Sequence, residues 1–147
     1  MITKKICELF VLNLNKLKEE ISLYKNESDL WKIEKEIKNS AGNLTLHLIG
    51  NLNHFIGAIL GNTGYVRQRD MEFSEKNIPR EKLLTDIDQV IKIIEKVFGQ
   101  MKDEEFTKPY PIDFLGKRPI LIEMFLQLLT HLNYHLGQIN YHRRILG

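Results

Sequence analysis

The sequence predicts an all-α fold, a four-helix bundle. Three observations carry the prediction. Apolar residues recur at three- and four-residue intervals in four separate stretches. No stretch alternates as a strand would, and there is no internal repeat or low-complexity tract. At 147 residues, 43% of them hydrophobic, the chain is the size of a single domain, residues 1–147, with its own core.

The elements follow in order. Ile6, Phe10, Leu14, Leu17, Ile21 and Tyr24 share a face, with Lys16, Lys18, Glu19, Glu20 and Lys25 between them, which predicts an amphipathic helix over about residues 3–26. Asn26, Ser28 and Asp29 break it, and the charged stretch from Trp31 to Lys38 reads as a connector with about one helical turn. Ser40 reads as the N-cap of a second helix over 41–60, lined by Leu44, Leu48, Leu52, Phe55, Ile56 and Ile59 and stopped by Gly61, Asn62 and Gly64. A long link, YVRQRDMEFSEKNIP, ends at Pro79, a residue suited to a helix's first turn. In the third helix Leu83, Ile87, Val90, Ile94, Val97 and Met101 form a heptad-like seam opposite Asp88, Lys92 and Lys96. Lys102 to Arg118, with Pro109, Pro111 and Gly116, is expected to be a second long connector over the bundle's end. Pro119 then opens the last helix, which is apolar on nearly every side to Leu146 and so is expected to be the most buried.

Charge and composition narrow the function. Twenty-one basic against nineteen acidic side chains leave +2, too even a balance for a protein that works by neutralising phosphates along nucleic acid. Glu8 interrupts the opening where a signal peptide needs unbroken apolar sequence, and no later run approaches the ~20 apolar residues of a membrane span. The expectation is a cytoplasmic chain with neither membrane nor nucleic acid as partner. Cys7 is the single cysteine, so no internal disulfide forms and a metal site has to rest on histidine or carboxylate. Beside Ile6, it reads as a half-buried inert thiol.

Five histidines remain. At ~100° per residue, His131, His135, Gln138 and His142 share a strip about 60° wide on the otherwise apolar last helix, which must face something polar. His131 and His135, about 6 Å apart in rise, can converge on one metal ion; His142, about 10 Å further on, cannot join them. Random scatter of five histidines over this length gives about 0.16 such HxxxH pairs. A buried histidine bonded to a carbonyl or a glutamine is the competing reading. His142, Arg143 and Arg144 read as positive charge favoured by a helix C-terminus, and Tyr134 and Tyr141 as packing residues with wet hydroxyls.

The second helix offers His47 and His54, about 10 Å apart on nearly one face, only one of which can serve a given ion. If the second and last helices run antiparallel, His47 lies level with the later half of the last helix, and Asn51 makes HLIGN a polar lining; the angles favour His47 only slightly. Three histidines with no thiolate or carboxylate leave coordination positions open, the arrangement of a catalytic rather than a structural site. Imidazole suits zinc, nickel, copper or iron. Asn51 and Gln138 can fix ring orientation or, equally, satisfy buried backbone groups. No histidine has Glu three residues before it, which excludes a di-iron bundle, and HExxH, GxSxG, GxGxxG and P-loop patterns are absent.

HLIGN in the second helix, RQRDMEF in the link and HLNYHLGQINYHRR in the last helix together resemble the DinB/YfiT-like superfamily over nearly the whole chain. The resemblance implies an up-down-down-up bundle whose metal is held by one histidine of the second helix and the HxxxH pair of the last. His47, His131 and His135 are then the implied ligands, with zinc or nickel the foremost ions. It also implies a metal-dependent enzyme that uses a low-molecular-weight thiol such as bacillithiol, mycothiol or glutathione for S-transfer or isomerisation of a small-molecule substrate. Homodimers are common among look-alikes. Arg67 and Arg69 present guanidinium forks suited to the carboxylates of an acidic thiol cofactor, and pairing within the loop to Asp70 or Glu72 is the alternative. The lone Cys7 means that the reactive sulfur arrives with the cofactor. The reading that competes with an enzyme is a metal-stabilised bundle serving as a binding or regulatory module.

Overall fold

The spacing of apolar side chains decides which face of each helix turns inward, and in the computed structural model, which describes residues 1–147, five helices and no strands result. Helix α1 (Ile2–Ser22) buries Ile6, Phe10, Leu14, Leu17 and Ile21, the face its periodicity selects. Its first amides find their acceptor across the molecule: Asp103 accepts from the Ile2 and Thr3 N–H groups at 3.2 and 3.0 Å, in the place of a local cap. The helix ends at Ser22 rather than near 26. Tyr24 lies beyond it and is buried, its hydroxyl bonded to the end of the last helix. After a 3-10 turn at Glu27–Trp31, the Trp31 ring covers Gly42, where a Cβ would stand 2.7 Å from the indole, so this approach requires glycine.

Helix α2 (Ala41–Gly61) starts as expected at Ser40, whose Oγ accepts from the Asn43 N–H at 3.1 Å, and ends at Asn62 in the left-handed conformation. Within it Asn53–Ala58 is wound as a π-turn, and the Phe55 carbonyl accepts from the fully buried Tyr110 hydroxyl at 2.6 Å. The following segment, which the sequence shows only as a long link, contains helix α3 (Arg69–Ser74), too short to announce itself by periodicity. It is clamped to α2 by buried Asn43, whose Nδ2 donates to Glu72 O and Glu75 O at 3.0 and 2.8 Å.

Helix α4 (Arg80–Gly99) buries Leu83, Ile87, Val90, Ile94 and Val97, the predicted seam, and Met101 falls just past its end. The connector before the last helix carries a 3-10 turn at Asp103–Thr107 and sends Phe106 and Tyr110 into the core. Helix α5 (Leu121–Leu146) begins one residue beyond Ile120 rather than at Pro119, with Glu123 accepting from the Ile120 N–H at 3.0 Å.

One expectation about burial is overturned. α5 leaves Leu126, Tyr134, Tyr141 and Ile145 more than half exposed. The most buried helix is α2, where every residue of Ala41–Leu52 except Leu46 is buried. The cause is position: α2 is covered by α3, α4 and α5, whereas α5 packs chiefly on α1 and α2. For the same reason α2, at 21 residues and a mean hydropathy of 1.2, is long and apolar enough to span a membrane, contrary to the reading of the sequence. Its buried Asn43, His47 and Asn51 have their place inside the bundle, where polar groups can be paired.

Candidate metal centre

Three histidines meet where α2 and α5 pack. His47 projects from the first half of α2 and His131 and His135 from successive turns of α5, with ring centroids 4.9, 5.3 and 4.6 Å apart. One nitrogen from each ring lies within 4.8 Å of the other two. The Nε2 atoms of His47 and His131 face each other at 3.0 Å, close to the ~3–3.4 Å separation that two bonds of about 2.0–2.1 Å to a common ion would set.

The orientation of His47 is fixed from α3. Glu72 is a buried carboxylate, and its Oε1 accepts from His47 Nδ1 at 3.0 Å. A carboxylate only accepts, so the proton sits on Nδ1 and the Nε2 lone pair faces the other rings. Arg67 grips the same carboxylate with Nε on Oε2 at 2.9 Å and an amino nitrogen on Oε1 at 3.0 Å. Phe73 packs on the His47 ring at 4.9 Å. Gly50, one turn after His47, makes room: a Cβ there would stand 1.8 Å from Glu72 Oε2. His135 Nδ1 bonds Gln138 Oε1 at 2.7 Å, which by the same reasoning leaves its Nε2 lone pair free. His131 Nδ1 is buried with no partner.

Electrostatics match a donor set. Burial first, then the neighbouring His135, His47, Arg67 and Arg69, push the His131 ring down to about 4, so it remains an uncharged donor at neutral pH. Burial likewise lowers His135. Burial alone would raise Glu72, but hydrogen bonds from His47 and Arg67 outweigh it and hold the carboxyl below its usual range. The site therefore offers imidazole nitrogens with oriented lone pairs, an anionic anchor behind one of them, and no fourth side chain in the group. Such a set fits a divalent transition ion with open positions.

The other expected residues separate. His54, on the π-turn, lies outside the converging group, and burial and Arg67 lower its pKa. Gln138 supports His135, while Asn51 is buried with its Oδ1 unpartnered. Of the two readings of Arg67, a cofactor carboxylate or a partner within the loop, the structure has the second: two of its nitrogens are committed to Glu72, in a buried pair where an exposed one was expected. Arg69 is exposed and lies over the Phe73 ring at 5.4 Å. His142, read from the sequence as a helix-end charge, is buried and bonded to Tyr24 and the Lys32 carbonyl.

Glu72 is the residue whose role the sequence reading missed, having weighed it only as a loop partner for arginine. Its signal was Gly50, one turn after His47 on the same face, where the helix leaves a gap. No curated protein matches this chain. Residues 6–147, which include all three histidines, Arg67 and Glu72, match a family described as a protein of unknown function, DUF1572, and the chain belongs to that family.

Proposed function

We propose that this chain is a divalent-metal-dependent enzyme of DinB/YfiT-like type, its zinc or nickel held by His47, His131 and His135, that transfers a bacillithiol-type thiol to an electrophilic small molecule. The observation that carries the reading is the convergence of three imidazole nitrogens within 4.8 Å without a fourth side-chain ligand. An ion held there supplies the acidity that keeps a coordinating thiol as its thiolate at neutral pH.

The chain's own residues do the rest. Glu72 and Gln138 hold the Nδ1 protons of His47 and His135 and so aim both rings. Arg69, exposed on Phe73, has a fork free for a cofactor carboxylate. A cavity of about 800 Å³ beside His135 and Gln138, walled by Ile37, Leu44, Tyr141 and Ile145 and by the charged segment Glu34 to Lys38, gives a small-molecule electrophile room. Cys7 lines a groove between α1 and α4, its thiol pushed up by burial, and is not the nucleophile.

Helix pairings support the up-down-down-up order. Phe10 with Phe98 and Lys18 with Asp88 run oppositely along α1 and α4, while Phe10 with Phe125 and Glu20 with Arg143 run together along α1 and α5. We place the protein in the cytoplasm, with the lone cysteine in keeping, and take a homodimer as its assembly.

Elemental analysis of untagged protein, comparing the parent with His135→Ala, tests the ligands, and equal metal in both removes the site. Incubation with bacillithiol or glutathione and a fluorogenic electrophile tests the chemistry. No rate above the metal-free protein removes the transferase reading. It leaves the second one, a metal-stabilised binding module, which is favoured by ligands drawn from two helices that an ion would tie together.

A further inference from the structure

We infer that Glu72 and Arg67 set the metal affinity of this centre in opposition, the carboxylate raising it through His47 and the guanidinium holding it down. The inference rests on the reading of His47, His131 and His135 as ligands and deepens it. Glu72 lies behind His47, opposite the nitrogen that faces the other rings, and accepts the Nδ1 proton at 3.0 Å. Negative charge at that point makes the far nitrogen a stronger donor and offsets the charge of a bound cation. Arg67 works against this in two ways. It draws on both oxygens of the same carboxylate, and one of its amino nitrogens stands 3.4 Å from His47 Nδ1, so its own positive charge faces the centre. The side chains of all three residues are largely out of water, at 8%, 7% and 13% exposure for His47, Glu72 and Arg67, so solvent screens little of either effect.

The other two rings have no such arrangement. His135 is backed by a neutral amide and His131 Nδ1 by nothing. His47 is thus the one donor whose strength the protein can adjust by charge. Because Arg67 and Glu72 both belong to the link and α3, the segment that covers α2 also sets how tightly the centre holds its ion. Glu72 and Arg67 are positioning residues here, acting through His47.

The test is titration of metal-free protein with Zn²⁺ against a chromophoric chelator, with thermal melts of each metal-free variant alongside. Glu72→Gln lowers affinity by about ten- to a hundredfold. Gly50→Ala, whose new methyl displaces the carboxylate without changing any charge or ligand, lowers it as well. Arg67→Met raises it severalfold. All three variants lower the melting temperature of the metal-free protein, so a purely structural role for the pair moves affinity in one direction only. Opposite shifts for Glu72→Gln and Arg67→Met therefore support the inference, and shifts of the same sign, or none for Glu72→Gln, overturn it. If Glu72→Gln does not fold, Gly50→Ala against Arg67→Met reads the same contrast. Zinc uptake by the parent that ignores all three substitutions defeats this inference alone, whereas a parent that takes up no zinc defeats the ligand assignment beneath it.

Discussion

His142 and the His131–His135 pair lie on one strip of one helix, yet they end in opposite environments. Both nitrogens of His142 have protein partners: Nε2 donates to the Lys32 carbonyl at 2.9 Å, and Nδ1 meets the Tyr24 hydroxyl at 2.6 Å. The ring is a clamp between α5, the end of α1 and the segment after Trp31. In the other group, Nε2 of His47 and Nε2 of His131 have only each other, and the His131 Nδ1 has no partner at all. Spacing along α5 treats these histidines alike. What separates a ligand from a strut is the count of nitrogens left without a protein partner.

Substitutions can break that contrast. The largest effect is expected from His135→Ala, which should abolish stoichiometric metal and, with it, any zinc-induced rise in melting temperature. Metal-dependent stabilisation that survives would merge the two regions. Next, His142→Ala should lower stability by about 1–3 kcal/mol in urea unfolding, because it leaves the buried Tyr24 hydroxyl only the Ile139 carbonyl and strips the Lys32 carbonyl of its partner, while metal content stays at the parental level. Loss of metal in this variant would show that the clamp and the centre are one unit. Tyr24→Phe removes the hydroxyl's bonds to His142 and to the Ile139 carbonyl and should cost about 1 kcal/mol, again with no change in metal.

The gentlest test is pH. The folded protein holds His131 at about 4 against an ordinary 6.5, so as pH falls below 6.5 the unfolded chain takes up a proton that the folded site refuses. Stability of the metal-free protein should be flat near neutrality, decline between about 6.5 and 4, and decline further as Glu72, held below its usual range, is protonated. Urea midpoints that stay constant from pH 7 to 4.5 would contradict the environment described for His131.

Much of this was readable in advance, and the failures share a cause. The HxxxH register, the Ser40 cap, the stop at Asn62 and the seam of α4 depend on neighbours within a few residues, and each is present as expected. The choice of α5 as the most buried helix failed because apolar content on all sides does not say which helix the others will surround. Helix α3 was missed because six residues are too few for a period. His142 was taken for a helix-end charge because Tyr24 and Lys32 are far from it in sequence.

The sequence by itself determined four long helices and a pair of histidines one turn apart on the last of them, since a helix converts spacing directly into facing. Helix angles leaned only slightly to His47 over His54 and the resemblance named it; the tertiary structure brought it against that pair, buried Glu72 behind it through the gap at Gly50, and drew Arg67 from solvent onto the same carboxylate. These are contacts between segments 25 to 84 residues apart for His47 with Glu72 and with His131, and no local period encodes them. They depend on which faces pack, and packing is decided by the whole core at once.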